Sequence, residues 1–429
     1  MKVRRICALS LALSAPILAT QAQASLTDGA QLNFEARNLY FNNHNRSAPK
    51  IQSNTEQWGQ GFILEGISGY TDGPIGFGAD AIGMLGAKLY GPQGRNGAIG
   101  LFPTDSTGNS PDTFGSASFA LKARVSQSVL RAGYQQLNLP VIQSNDGRLL
   151  PSIYRGITFS SQDIADVILN AGFIDRVQGR NQDGEQKLKA TGNAKAFSSG
   201  FTYAGGTWNP IKPLGLTYYY ARLNDVYQQN FVGITTATPL SIGKLSTDIR
   251  YFNSQGVGAQ FSGPINNNAI GGLVSYSLLG NTFGLGYQAL TGSSGFPYLD
   301  PGQSVGGVVT GTTGGNSGLI GEVPLSKFKT QDEKEWVLKY SYNLSRIGLQ
   351  GVAFNSTYVS GHDARTSSKA AGQNEWVRTF GLSYNVPDSV IKGVTVAWKN
   401  VTYRTNVTGN HSQDQNILLV SYKFGLVHG

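Results

Sequence analysis

The sequence predicts an all-β protein, a transmembrane antiparallel β-barrel of 18 strands. Three observations point to it. First, eighteen segments alternate apolar with polar or small residues at a period of two, the pattern of strands with two unlike faces. Second, the connections alternate in length. Tight links recur at Thr71-Asp72-Gly73-Pro74, Ser126-Gln127-Ser128, Asn209-Pro210, 241–244, 279–281, 344–348 and Pro387-Asp388. Long polar stretches lie between them at 43–56, 91–114, 138–152, 177–195, 255–267, 293–332 and 362–373. Short turns at one end and long loops at the other characterise membrane barrels. Third, only 14% of residues are charged, while Gly (56), Tyr (20) and Phe (20) abound, unlike a disordered chain or an ordinary soluble surface.

The first residues read as a processing signal. Lys2, Arg4 and Arg5 precede an apolar stretch from Ile6 to Ala19, broken by Pro16, and Ala22-Gln23-Ala24 offers a small-x-small cleavage site. The stretch is too short and interrupted to cross about 30 Å of hydrocarbon. Domain organisation is therefore a signal over 1–24, a single barrel over 25–424 and a short extension at 425–429. Without residues 1–24 the chain carries 31 Lys and Arg against 25 Asp and Glu, a net charge of +6. Cys7, the only cysteine, leaves with the signal, which excludes disulfides, thiolate chemistry and cysteine zinc sites. The basic residues do not cluster as in nucleic-acid binders, so no nucleic-acid partner is expected.

The predicted strands are 33–42, 57–70, 74–90, 115–126, 129–137, 153–162, 165–177, 196–208, 213–227, 228–240, 244–254, 268–279, 282–292, 333–344, 349–361, 374–386, 392–405 and 413–424. The link near Tyr227 leaves little chain where a loop is due, so a 16-strand count also fits. Phe283, Leu285, Tyr287 and Ala289 oppose Thr282, Gly284, Gly286 and Gln288; Leu418, Val420, Tyr422 and Phe424 share another face. Eighteen strands enclose an aqueous space rather than a packed core, so the apolar face should meet lipid. Trp58, Tyr70, Tyr90, Trp208, Trp336, Trp376 and Phe424, near strand ends, fit interfacial girdles. An even strand count with short turns on one side places the N-terminus in the periplasm and the long loops outside, in a bacterial outer membrane with its lipid and lipopolysaccharide.

Catalytic chemistry is poorly supplied. His44, His362 and His411 fall in or beside loops and His428 near the end, without metal-ligand spacing or a partner serine. No enzyme activity, metal or cofactor is expected. The informative residues are charges on the inferred inner face. Arg37, Lys122, Arg124, Arg131, Lys339, Lys399 and Lys423 take that parity, as do the acids Glu35, Glu65 and Asp80 on three consecutive strands. Cations along a water-filled passage with low-dielectric walls lower the energy of a passing carboxylate. Separate basic and acidic sectors would set up a transverse field.

Several segments resemble the OprD family of outer-membrane carboxylate channels, also called Occ channels. Leu139-Pro140-Val141-Ile142-Gln143-Ser144-Asn145-Asp146-Gly147-Arg148-Leu149-Leu150-Pro151 is similar to their third extracellular loop. Arg37-Asn38-Leu39-Tyr40-Phe41, Trp58-Gly59-Gln60-Gly61-Phe62, 76–81 with Leu85-Gly86, and 223–229 match as well. The resemblance implies 18 strands, loops folded inward to narrow the bore, assembly as a homotrimer or in equilibrium with monomers, and a ladder of basic residues guiding small carboxylates. It assigns Arg37, Arg124, Arg131, Lys399 and Arg404 to ladder-bearing strands, although alternation from Trp398 turns Arg404 outward. Arg148 becomes the basic residue of the inward loop, and Phe296-Pro297-Tyr298 the aromatic part of the seventh loop at the constriction. The last strand lacks the paired arginine expected of arginine-specific members.

The expected function is a substrate-selective porin for passive uptake of small carboxylate nutrients, first an aromatic or aliphatic monocarboxylate and second an amino acid. The alternatives are an adhesin or receptor acting through its long loops, or a basic amino-acid or peptide channel of the same family.

Overall fold

In the computed structural model, which describes residues 26–46, 54–94, 99–190, 197–300, 303–305, 308–310, 315–367 and 370–428, eighteen antiparallel strands close into one barrel. In chain order they are β1 (Gln31–Asn45), β2 (Asn54–Ile67), β3 (Gly76–Tyr90), β4 (Thr113–Val125), β5 (Ser128–Gln135) and β6 (Ile153–Ser161). Then come β7 (Val167–Gln178), β8 (Phe201–Ile211), β9 (Leu214–Leu223), β10 (Tyr227–Pro239), β11 (Lys244–Gly256) and β12 (Asn266–Leu278). The last six are β13 (Asn281–Gly292), β14 (Lys334–Asn343), β15 (Val352–Ala364), β16 (Gln373–Asn385), β17 (Val394–Thr405) and β18 (Gln413–His428). Each strand pairs with the next. β1 then pairs with β18 from Gln31↔His428 to Asn45↔Gln413, so no sheet edge is left open. The signal predicted over 1–24 lies outside the described residues.

Side-chain parity follows the apolar pattern. Phe119, Leu121, Ile157, Phe283, Leu285 and Leu338 stand exposed on the outer wall, while Ala120, Lys122 and Gln288 are buried inside. Such an extended apolar surface is costly in water and at home in lipid.

Four details differ from the sequence reading. β2 stops at Ile67, and the turn after it folds into the barrel mouth, where the Arg124 guanidinium stands 4.2 Å from the Tyr70 ring. Tyr70 is therefore no girdle residue. β8 begins only at Phe201, and its hairpin closes at Ile211↔Leu214 rather than at Asn209-Pro210. Pro210 offers no N–H to the ladder, and the register shifts between Trp208 and Ile211. The short link at Tyr227 is a genuine tight turn. Leu223 pairs with Tyr227, Asp225 adopts φ 59°, and its carboxylate accepts the Ala259 amide at 3.2 Å. Finally, residues 425–428 stay in β18 instead of trailing away, with Val427 opposite Leu32.

The inner wall is not uniformly polar. Three apolar clusters mark where loops pack against it. In one, Leu149 and Leu150 join Phe41, Phe102 and Phe114. In the second, Phe296 and Leu299 meet Phe231 and Phe252. In the third, Ile320 and Phe328 cover Val337, Val359, Val377 and Val401, one inward valine from each of four neighbouring strands. Loops that would otherwise lie in solvent thus fill much of the bore. Gly59 and Gly61 make room for one of them: a Cβ on Gly61 would stand 2.6 Å from the Leu149 carbonyl oxygen, and one on Gly59 2.6 Å from Leu149 Cδ1.

Candidate solute channel

Between these docked loops and the inner faces of β1, β17 and β18 lies a cavity of about 1630 Å³. Its wall includes Arg37, Lys399 and Lys423 from strands, Asn145 to Arg148 and Arg180 from inward loops, and Tyr298, Lys327 and Lys329 from the loop between β13 and β14.

Arg37 is in place but not free. Its Nη2 donates to Glu35 at 2.8 Å and to Asp146 at 3.0 Å, and its Nη1 donates to the Arg148 carbonyl at 3.3 Å. Glu35 also meets Lys423 Nζ at 3.2 Å. Alternation puts Arg37 on the inner face; only the folded loop brings it Asp146, 109 residues away in sequence.

Four cations on the cavity, Arg148, Arg180, Lys329 and Lys399, form no ion pair with a carboxylate among the described residues. Arg148 donates to the Ile99 carbonyl at 3.2 Å and stands 4.7 Å from the Phe41 ring. Arg180 is 4% exposed; it donates from Nη1 to Asn145 at 2.9 Å and leaves Nε and Nη2 without acceptors. Lys399 projects from β17, with the Arg148 charge nearby. Burial pushes Arg180 down to about 10, and burial with the adjacent Arg180 charge pulls Arg148 down too. Guanidinium groups remain protonated at neutral pH regardless. For Arg180 the buried Asp300 carboxylate pulls the other way without overcoming burial.

Lys122, Arg124 and Arg131 lie nearer the short-turn end and off this cavity. Lys122 does not act as an open rung. It is 4% exposed, ion-paired to Asp80 at 2.6 Å and donating to the Ser68 carbonyl at 2.8 Å. Arg131 holds the other Asp80 oxygen at 3.0 Å, while Arg124 lies over Tyr70. Glu65 points inward between Asn33 and Ile82. Separate acidic and basic sectors are therefore not what the inner wall carries. Glu35 and Asp80 interleave with the cations and neutralise them within ion-pair distance.

Arg404 is a correction. The β16–β17 ladder runs without a bulge, so Arg404 shares the outer face with Trp376 and Trp398. It pairs with Asp414 at 2.8 Å on the outer wall, not with anything in the bore. Phe296 needs a smaller one: it is buried against Phe252, with ring centroids 5.1 Å apart, and anchors the loop. Tyr298 lines the cavity, with Lys329 Nζ 5.6 Å from its ring.

Sequence reasoning missed Arg180 and Lys329, which sit in long loops where periodicity assigns no face. The triplet Lys327-Phe328-Lys329, whose central ring is buried in the third cluster, carried the one usable hint. Also missed were the buried carboxylates Glu333, Glu335 and Glu375. Glu375 accepts from Ser326 at 2.6 Å, from Asn410 at 3.2 Å and from the Tyr403 hydroxyl, tying two loops to the wall. No group of three His, Asp or Glu residues is placed to hold a metal ion among the described residues.

Comparison with known proteins agrees with this architecture. A family model described as outer membrane porin, OprD family, matches residues 24–426. The porin-like protein GalP of Pseudomonas putida is 29% identical over the whole of both chains. Among solved structures, Pseudomonas aeruginosa OccK8 (OprE) is 35% identical with a TM-score of 0.84, covering 94% of this chain and all of its own. Pseudomonas aeruginosa OpdK with vanillate is 30% identical with a TM-score of 0.85, covering 93% of this chain and all of its own.

Proposed function

Because this chain belongs to the OprD family of outer-membrane porins, passive channels rather than enzymes, we propose that it admits small carboxylates, with aromatic monocarboxylates preferred. The observation that carries this reading is the trio Arg148, Arg180 and Lys399, three cations facing one cavity, none of them in an ion pair with a carboxylate among the described residues. At an effective dielectric near 20, a carboxylate about 4 Å from one of them gains about 4 kcal/mol, which offsets the water it gives up on entering. The same trio repels cationic solutes, which speaks against a basic amino-acid channel. Tyr298 beside Lys329 supplies apolar surface next to the charge. The aromatic carboxylate vanillate in the OpdK structure supports this choice of solute class.

In this reading the long loops face the exterior and the N-terminus the periplasm, the outer wall sits in outer-membrane lipid and lipopolysaccharide, and three copies assemble. Reversal potentials in planar bilayers, with benzoate replacing chloride across the membrane, test the proposal. Wild-type protein should favour benzoate over a cationic solute of similar size. Arg148→Gln with Lys399→Gln should lower benzoate permeability several-fold. Unchanged permeability in that pair would refute the assignment.

A further inference from the structure

The outer wall carries a charged patch that a lipid-facing surface does not need. Arg378, Thr402, Asp414 and His44 form one row across β16, β17, β18 and β1. Above it, Arg404 stands opposite Trp376, and Arg46 follows β1. Arg404 and Arg46 both hold Asp414, so one carboxylate answers two guanidinium groups. Arg378 has none. It is exposed, donates to Thr402 Oγ1 at 3.2 Å and lies 4.9 Å from the Phe380 ring. Three arginines against one aspartate leave a surplus of two positive charges.

The aromatics that mark the boundary on either side, Tyr358 and Trp376 on β15 and β16 and Trp58 and Tyr90 on β2 and β3, are replaced on β17, β18 and β1 by polar residues. Below, Asn400 and Asn416 are hydrogen-bonded to each other at 3.0 Å, and Leu382, Trp398 and Leu418 resume the apolar wall. The patch therefore sits at the long-loop edge of the apolar belt, the depth of lipid headgroups, where an arginine on the wall costs least.

We propose that Arg378, Arg404 and Arg46 bind the phosphate of an anionic membrane lipid. Guanidinium pairs phosphate bidentately, and the planar faces of Trp376 and Phe380 hold two of these groups in place. A second copy of the chain is the weaker occupant, since a surplus of positive charge calls for a partner with surplus negative charge, which phosphate monoesters carry. The inference rests on this wall being immersed in lipid.

Native mass spectrometry of the detergent-solubilised protein, offered phosphatidic acid or phosphatidylcholine, tests it. Wild type should retain phosphatidic acid several-fold over phosphatidylcholine. Arg378→Gln with Arg404→Gln should remove that preference, Arg378→Gln alone should weaken it without orphaning Asp414, and Arg378→Lys should keep most of it. Arg155→Gln, an outer-wall arginine paired to Asp175 and Glu185, should change nothing. A preference surviving the double substitution overturns the site. Competition by inorganic phosphate at equal concentration overturns the lipid as its source. Loss of oligomers with lipid binding intact makes the patch a contact between copies and overturns it too. Failure to retain either lipid overturns the immersion on which it rests, whereas equal retention overturns only the phosphate site.

Discussion

Arg37 on the first strand holds Asp146 in the inward loop, Nη2 to Oδ2 at 3.0 Å, while the same nitrogen also reaches Glu35. A wall residue is thereby fastened to the loop that bears Arg148, two positions further on. Asp146 is half exposed and Arg37 keeps Glu35 when it is lost, so the fastening contributes about 1 kcal/mol. Asp146→Asn should leave the barrel folded and loosen the loop. Single-channel recordings should show larger and more frequent current fluctuations than wild type; a trace identical to wild type would exclude the latch.

Asp80 is the shared counter-ion of Lys122 and Arg131. Replacing it with Asn strands the buried Lys122 ammonium, and removing one partner of a buried pair costs about 3–5 kcal/mol. Asp80→Asn should lower the temperature at which the heat-modifiable band converts on gels. Adding Lys122→Met should restore much of it, because the stranded charge is then gone. If the two substitutions instead add, the buried pair is not the cause.

Gly61 is where the second strand admits the inward loop, with the Leu149 carbonyl 2.6 Å from any Cβ placed there. Gly61→Val cannot be absorbed by a side-chain rotation, because the obstacle is backbone. The loop should lift from the wall, raising single-channel conductance and weakening solute selection while the outer wall, untouched, still inserts into bilayers. A conductance at or below wild type would show that the loop does not set the bore.

Lys329 lies on the cavity, and burial, the largest cause, with Lys327 in support, pulls its ammonium below the ordinary lysine range against the opposing pull of Asp300 and Glu375. A lowered lysine pKa means the charge is lost earlier as pH rises than in an ordinary lysine. Benzoate permeability should therefore fall as pH climbs toward the ordinary lysine pKa of roughly 10. In Lys329→Arg the fall should be absent, since guanidinium keeps its proton. Parallel profiles for the two proteins would remove Lys329 from the pathway.

The strand pattern was legible because period two is local. Phe283 and Leu285 point outward and Gln288 inward for reasons carried in three neighbouring residues, and connections that alternate in length everywhere but at Tyr227 ordered the strands. Parity alone also placed Arg404 correctly outside, where the resemblance had drawn it toward the ladder. Arg180 and Lys329 were illegible because a loop has no period: their direction depends on where Phe328, Leu149 and Phe296 find apolar seats on a distant wall.

By itself the sequence determined a barrel with a greasy exterior, its strand order, and which strand side chains look inward. The fold alone decided which inward charges are spent on one another and which remain for a solute. Asp80 answers Lys122 and Asp146 answers Arg37 only because strand register and loop docking bring them within about 3 Å, where Coulomb attraction dominates. Arg148, Arg180 and Lys399 have no carboxylate at ion-pair distance among the described residues, because the docked loops bring Asp300 toward Arg180 only from further off and leave Asp146 on Arg37.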